Sequence, residues 1–108
     1  MTEPAPTKQR RYPRASPAKP MLVAWKSPVR KSISRASCVN LGGLFIHEDD
    51  PPPLGARVQI FFETPTGQVR ARATVRTAVV GRGMGVEFIQ MRQEERARLA
   101  LMIKQLVG

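Results

Sequence analysis

From Met21 onward the apolar residues of this chain recur at every second position, with few breaks, as far as Phe88. A period of two puts successive side chains on opposite faces of an extended strand, so the pattern predicts strands with one buried face. Met21, Val23 and Trp25 alternate with Leu22, Ala24 and Lys26 in a short first strand, which Ser27-Pro28 ends. Ser32 to Asn40 is a second strand whose alternation is weaker. Gly42-Gly43 predicts a bulge or tight bend where backbone comes close to something. Leu44 to His47 continues as strand until Glu48-Asp49-Asp50-Pro51-Pro52-Pro53 forces a loop, read as solvated.

The second half alternates more cleanly. Val58, Ile60 and Phe62 share one face, opposite Gln59, Phe61 and Glu63, and Thr64-Pro65-Thr66-Gly67 supplies hairpin chemistry. Val69, Ala71, Ala73 and Val75 follow on one face, with Arg70, Arg72, Thr74 and Arg76 on the other. Gly81-Arg82-Gly83 turns the chain into a last strand with Met84, Val86 and Phe88 inward. The period then changes. Leu99, Met102, Ile103 and Leu106 fall at i, i+3, i+4, i+7, the stripe of one amphipathic helix. The expectation is a mainly β fold: a small six-stranded antiparallel β-barrel over about residues 20–90, closed by a C-terminal α-helix from Arg92 to Leu106. Its expected core holds Val23, Trp25, Leu44, Ile46, Val58, Ile60, Phe62, Val75, Val86, Phe88, Leu99, Ile103 and Leu106.

Ahead of the alternation the composition changes. Pro4, Pro6, Pro13, Pro17 and Pro20 stand among residues with almost nothing to bury, which predicts a flexible basic arm over 1–19 and a barrel domain with its helix over 20–108. A chain of 108 residues is long enough for one such domain and too short for a large enclosed active site. The net charge of +10 is concentrated at the start: residues 1–35 carry nine cations against Glu3, a local charge of +8. Such a segment attracts polyanions of any kind, whether nucleotide, nucleic acid or acidic surface.

Other chemistry is thinly represented. No nucleophile–base pattern occurs, which predicts a protein that is not an enzyme. His47 is the single histidine and Cys38 the single cysteine, too few for a metal cluster or an internal disulfide. With no apolar run long enough to cross a membrane and no apolar leader, the expected location is cytoplasmic, without membrane insertion. Trp25 and Tyr12 are read as packing residues. Arg70, Arg72 and Arg76 offer a cationic strand face, but Gln68 and Thr74 stand where a single-strand binder would place aromatic platforms, so nucleic acid is an unfavoured partner.

The segment Arg10-Arg11-Tyr12-Pro13-Arg14 is the strongest candidate for binding. Arginine offers a rigid planar fork that grips phosphate or a guanine edge and stacks on a base. The four-residue spacing of Arg10 and Arg14 is weak alone, since Arg72/Arg76 and Arg92/Arg96 repeat it. What adds weight is the order of landmarks: Arg-Arg-Tyr-Pro-Arg, a strand with Trp25, Asn40-Leu41-Gly42-Gly43-Leu44-Phe45-Ile46, a hairpin, Gly83-Met84-Gly85-Val86-Glu87-Phe88, and a Leu-rich helix.

In that order the chain resembles the PilZ domain family, from about Arg10 to Val107. The resemblance implies a bacterial six-stranded barrel that binds cyclic di-GMP through two motifs, RxxxR before the first strand and [D/N]xSxxG near the second. RxxxR is intact as Arg10 and Arg14, with Arg11 matching a frequently basic neighbour. The second motif is altered. Without gaps, the family's Asp/Asn falls on Cys38, its Ser on Asn40 and its Gly on Gly43; with a two-residue deletion, Asn40 takes the Asp/Asn place and the Ser is gone. The ligand set implied is Arg10, Arg11, Arg14, Cys38, Asn40 and Gly43, with Arg76 standing, by its distance from Gly83, where the family often sets a residue against a base. The expected function is a non-catalytic receptor that signals by rearranging its arm, with an unidentified protein as a further partner. The alternatives are a degenerate adaptor that binds protein without nucleotide and, less favoured, a nucleic-acid-binding barrel.

Overall fold

A computed structural model describes residues 21–107, and the alternation is built into six strands and one helix. Arg10, Arg11, Tyr12 and Arg14, with the rest of the expected arm, lie outside the described residues. The strands are β1 (Met21–Lys26), β2 (Lys31–Asn40), β3 (Gly43–His47), β4 (Arg57–Thr64), β5 (Gly67–Val79) and β6 (Gly83–Met91), followed by helix α1 (Gln93–Val107). All pairings are antiparallel, and the sheet closes on itself in the order β1-β2-β3-β6-β5-β4. Closure leaves little free edge among the described residues to template pairing with another chain. The closing seam is short: Ala24, Trp25 and Lys26 of β1 face Phe61, Ile60 and Gln59 of β4.

The inward positions are those the alternation marks. Val23, Trp25, Leu44, Ile46, Val58, Ile60, Phe62, Val69, Val75, Met84 and Val86 are buried, with Leu99, Met102 and Ile103 of α1 packed among them. Each aliphatic side chain so buried is worth about 1.5–3 kcal/mol over its exposed state. Two expected core members differ. Phe88 is only half-buried, because β5 and β6 change register between Arg72 and Ala73 and Ile89 bulges out at the end of the barrel. Leu106 is exposed, since the last turn of α1 stands clear of the barrel and Lys104 and Gln105 beside it face water. The buried stripe therefore runs from Glu95 through Leu99 and Met102 to Ile103.

Polar groups tie the helix and one loop to the sheet. Glu95, nearly buried, accepts the backbone N–H of Arg70 through Oε1. Arg98 donates to the Gln68 carbonyl at 2.9 Å, and Arg96 to the Leu41 carbonyl at 3.3 Å. The loop after β3, expected to be solvated, is held at its first residue: Ser34 Oγ accepts from the Trp25 indole N–H at 2.9 Å and donates to Glu48 at 3.1 Å. Arg30 closes this group, 3.5 Å from the Glu48 carboxylate and 5.1 Å from the centre of the Trp25 ring. Trp25 is thus a packing residue whose one polar atom is satisfied, as a buried indole requires.

The Gly42-Gly43 region explains the weak alternation of β2. Ser37 faces Phe45 and Asn40 faces Gly43, so β2 uses one residue more than β3 over this stretch. This bulge passes the inward place from Cys38 to Val39, which is fully buried, and leaves Cys38 at φ 54° in the left-handed region. Gly43 follows because β6 lies against it: a Cβ there would stand 1.9 Å from the Val86 carbonyl oxygen. At the other end of β3, a Cβ on Gly83 (φ 150°) would meet the Ile46 carbonyl at 2.1 Å. The two glycines bracket the β3–β6 pairing.

Two stability outcomes follow from this backbone. Gly43→Ala forces β3 and β6 apart and lowers unfolding free energy by at least about 2 kcal/mol, read as an earlier urea midpoint. Cys38→Asn has the opposite sign: asparagine tolerates the left-handed conformation, and the substitution gains about 0.5–1 kcal/mol. An unchanged or lower melting temperature for Cys38→Asn would contradict the strained bulge.

Candidate ligand site

The outward residues of β2, β3, β6 and β5 form one wall of the barrel. Asn40 faces Gly43, Gly43 faces Glu87, and Glu87 faces Thr74, a row across four strands. One step along, Ser37, Phe45, Gly85 and Thr77 make a second row. Gly43 and Gly85 keep the middle of this wall low, a shelf of backbone beside the half-exposed Phe45 ring. His47 sets its ring edge-on to Phe45 at 5.2 Å and its Nε2 is 3.1 Å from Ser37 Oγ.

Three of the expected ligand residues meet here, with geometry the sequence did not reveal. Asn40 Oδ1 accepts the N–H groups of Gly42 at 2.7 Å and Gly43 at 2.9 Å, which fixes the turn into β3. Its carbonyl is therefore committed, and its Nδ2 amide remains to offer outward as a donor. Gly43 admits the backbone of β6, so the close approach that its lack of a side chain permits is to Val86. Cys38 sits in the bulge beside them, half-buried.

Arg76 is on the same wall but engaged. Its Nε donates to Glu87 Oε1 at 2.6 Å, and both side chains are more than half exposed. A pair this exposed contributes at most about 1 kcal/mol and exchanges readily. Arg76 and Glu87 cancel in charge. Arg35 of β2 is a further exposed cation on this wall, and Arg10, Arg11 and Arg14 are outside the described residues. Among the described residues there is no group of three or more His, Cys, Asp or Glu side chains arranged to hold a metal ion, and no helix is long and apolar enough to cross a membrane.

The wall centred on β1 and β4 corrects one sequence expectation. Arg70 does have an aromatic neighbour: Phe61 faces it across β4 and β5, with the guanidinium carbon 5.9 Å from the ring centre, while Arg72 faces Gln59. The alternation had marked Phe61 as outward without showing which strand it would lie beside. Only the register brings it under Arg70. Arg76, grouped with these two in the sequence, instead faces Glu87.

Comparison with known proteins agrees with this architecture. The family model for the PilZ domain matches residues 8–105. The fold is similar to the PilZ domain of YcgR from Escherichia coli, a structure with c-di-GMP, with a TM-score of 0.74 at 19% identity over 92% of each chain. It is also similar to the inhibitor of motility MotI (DgrA) of Bacillus subtilis, with a TM-score of 0.73 at 16% identity. That alignment covers 91% of this chain and 51% of MotI, so this chain spans about half of MotI's length. No curated protein matches by sequence. With nearly its whole length matched by the family model and the six-stranded barrel in place, the chain belongs to the PilZ domain family.

Proposed function

We propose that this chain is a non-catalytic bacterial receptor that binds cyclic di-GMP on the β2-β3-β6-β5 wall and signals occupancy by rearranging its N-terminal arm. The observation that carries this reading is the intact Arg10-x-x-x-Arg14 pair inside the segment matched by the PilZ family model, ahead of a wall that bears Asn40 and Gly43. The presence of c-di-GMP in the YcgR PilZ domain, whose fold this chain shares, supports the same ligand. A receptor for an internal second messenger works in the cytoplasm.

The division of labour follows from donor chemistry. Arg10 and Arg14 supply charge-assisted contacts to phosphate and guanine, with Arg11 assisting. Guanine presents two acceptors, O6 and N7, on one edge. An Asn40 whose oxygen is tied to the Gly42 and Gly43 amides offers its NH₂ to such an edge and nothing that repels it. The ungapped alignment fits the backbone best, because it sets the family's Asp/Asn at the left-handed position that Cys38 occupies, where those residue types are tolerated. Cys38 leaves that position with a weak donor and acceptor, and Arg76 joins the ligand only by leaving Glu87.

Titration calorimetry with cyclic di-GMP, with GTP as the control, tests the reading. Saturable heat is expected, and Arg14→Ala abolishes it while the melting temperature stays at the wild-type value. No heat at ligand concentrations of about tens of micromolar, an affinity weaker than about −6 kcal/mol, gives first place to an adaptor that holds a protein partner without nucleotide. Glu87→Gln gives a separate reading of the wall. It releases Arg76 and removes a carboxylate that would repel an anionic ligand on this wall, so affinity should rise by about threefold to tenfold, less at high salt. Weaker binding in Glu87→Gln would place the nucleotide elsewhere.

A further inference from the structure

The wall on the far side of the barrel carries an open groove of about 920 Å³, floored by β1 and β4 and bounded by β2, β5, the last residues of β6 (Gln90 and Met91) and the start of α1. Its floor is apolar. Ile33 faces Ala24, Ala24 faces Phe61 and Phe61 faces Arg70, a continuous outward row in which Ile33 is 70% exposed. Leu22, also largely exposed, extends the apolar surface along β1. Beside that row lies a second of a different kind: Lys31 faces Lys26, Lys26 faces Gln59, and Gln59 faces Arg72. With Arg70 and Arg92, five cations border the groove; Arg92 pairs with Glu94 at 3.7 Å, and among the described residues none of the other four has a carboxylate within ion-pairing distance. Its one carboxylate, Glu95, is nearly buried and accepts the Arg70 backbone N–H.

From this arrangement we infer that the β1–β4 wall is a docking surface for an acidic segment of a partner protein, anchored by an apolar side chain. Charge complementarity selects the occupant. Lys26, Lys31, Arg70 and Arg72, without a carboxylate partner among the described residues, attract carboxylates and then reward the burial of an aliphatic or aromatic residue against Ile33, Ala24 and Phe61. The chain's own first 20 residues are a poor occupant, because they carry five cations against Glu3. A nucleic-acid strand fits less well than a peptide. It brings no branched aliphatic side chain to cover Ile33 and Leu22, only small groups such as the thymine methyl, and the aromatic platform Phe61 already lies beneath the Arg70 guanidinium. In the strand order β1 and β4 lie across the barrel from β3 and β6, so this surface is distinct from the proposed nucleotide wall and stands whether or not nucleotide binds there.

The test uses the full chain and three labelled probes in fluorescence anisotropy: a peptide of Asp and Glu with two central Leu residues, the same peptide with Ser for Leu, and oligothymidylate. The Leu peptide is expected to bind saturably and at least about fivefold more tightly than the Ser peptide. Lys26→Glu combined with Arg72→Glu, and Ile33→Ser alone, should each weaken it by about tenfold or more while leaving cyclic di-GMP titration and melting temperature as in the wild type. All three substituted positions face outward, and Ile33 is largely exposed, so the variants keep the core intact. No saturable binding of the Leu peptide, equal binding of the two peptides, or indifference to Ile33→Ser overturns the proposal. Tighter binding of oligothymidylate with the same dependence on Lys26 and Arg72 overturns it in favour of nucleic acid.

Discussion

Backbone passes so close to backbone between β3 and β6 that a side chain on Gly43 has no room, and much of the molecule is arranged around that contact. It sets how near the two strands lie, and so lets the sheet close in six strands. It also fixes the turn that enters β3, where the Asn40 side chain gathers the amides of Gly42 and Gly43. The extra residue in β2 opposite this turn moves Val39 into the core and turns Cys38 into an unfavourable backbone region. A short segment thus serves strand pairing, core filling and the shape of the candidate shelf together. These demands compete. A residue chosen for the shelf alone meets the packing constraint first.

Closure divides the outer surface into walls of different character. The β3–β6 side is low and built around glycine. The β1–β4 side is apolar at its centre and cationic along one flank. Both rest on the same core, and α1 reaches towards each: Arg96 holds the Leu41 carbonyl next to the bulge, while the neighbouring Glu95 holds the Arg70 amide next to the groove.

Most of the architecture was legible in the sequence, because alternation is a local property that survives without tertiary context. The inward faces of β1, β4 and β5 are read directly from Val23/Trp25, Val58/Ile60/Phe62 and Val69/Ala71/Ala73/Val75. What escaped were consequences of register. Phe88 and Leu106 have the right periodicity, yet a bulge at Ile89 and the end of the barrel under α1 leave both partly uncovered. Phe61 beneath Arg70, Arg76 against Glu87, and Glu48 in contact with Ser34 and Arg30 all depend on which strands become neighbours. The candidate shelf was legible only as a motif. That the Asn40 carbonyl is spent on the turn is a matter of a few ångströms, which no spacing rule encodes.

Trp25 gives the chain an optical property of its own. It is the single tryptophan, it sits at the short seam where β1 meets β4, and its indole N–H is bonded to Ser34 inside the core while Arg30 lies over its ring. The chain's intrinsic tryptophan emission therefore comes from one fluorophore in one environment, at the joint that must open for the barrel to come apart. Loss of that joint exposes the indole to water and moves its emission to longer wavelength without interference from a second tryptophan. The barrel carries a native dye at its own seam.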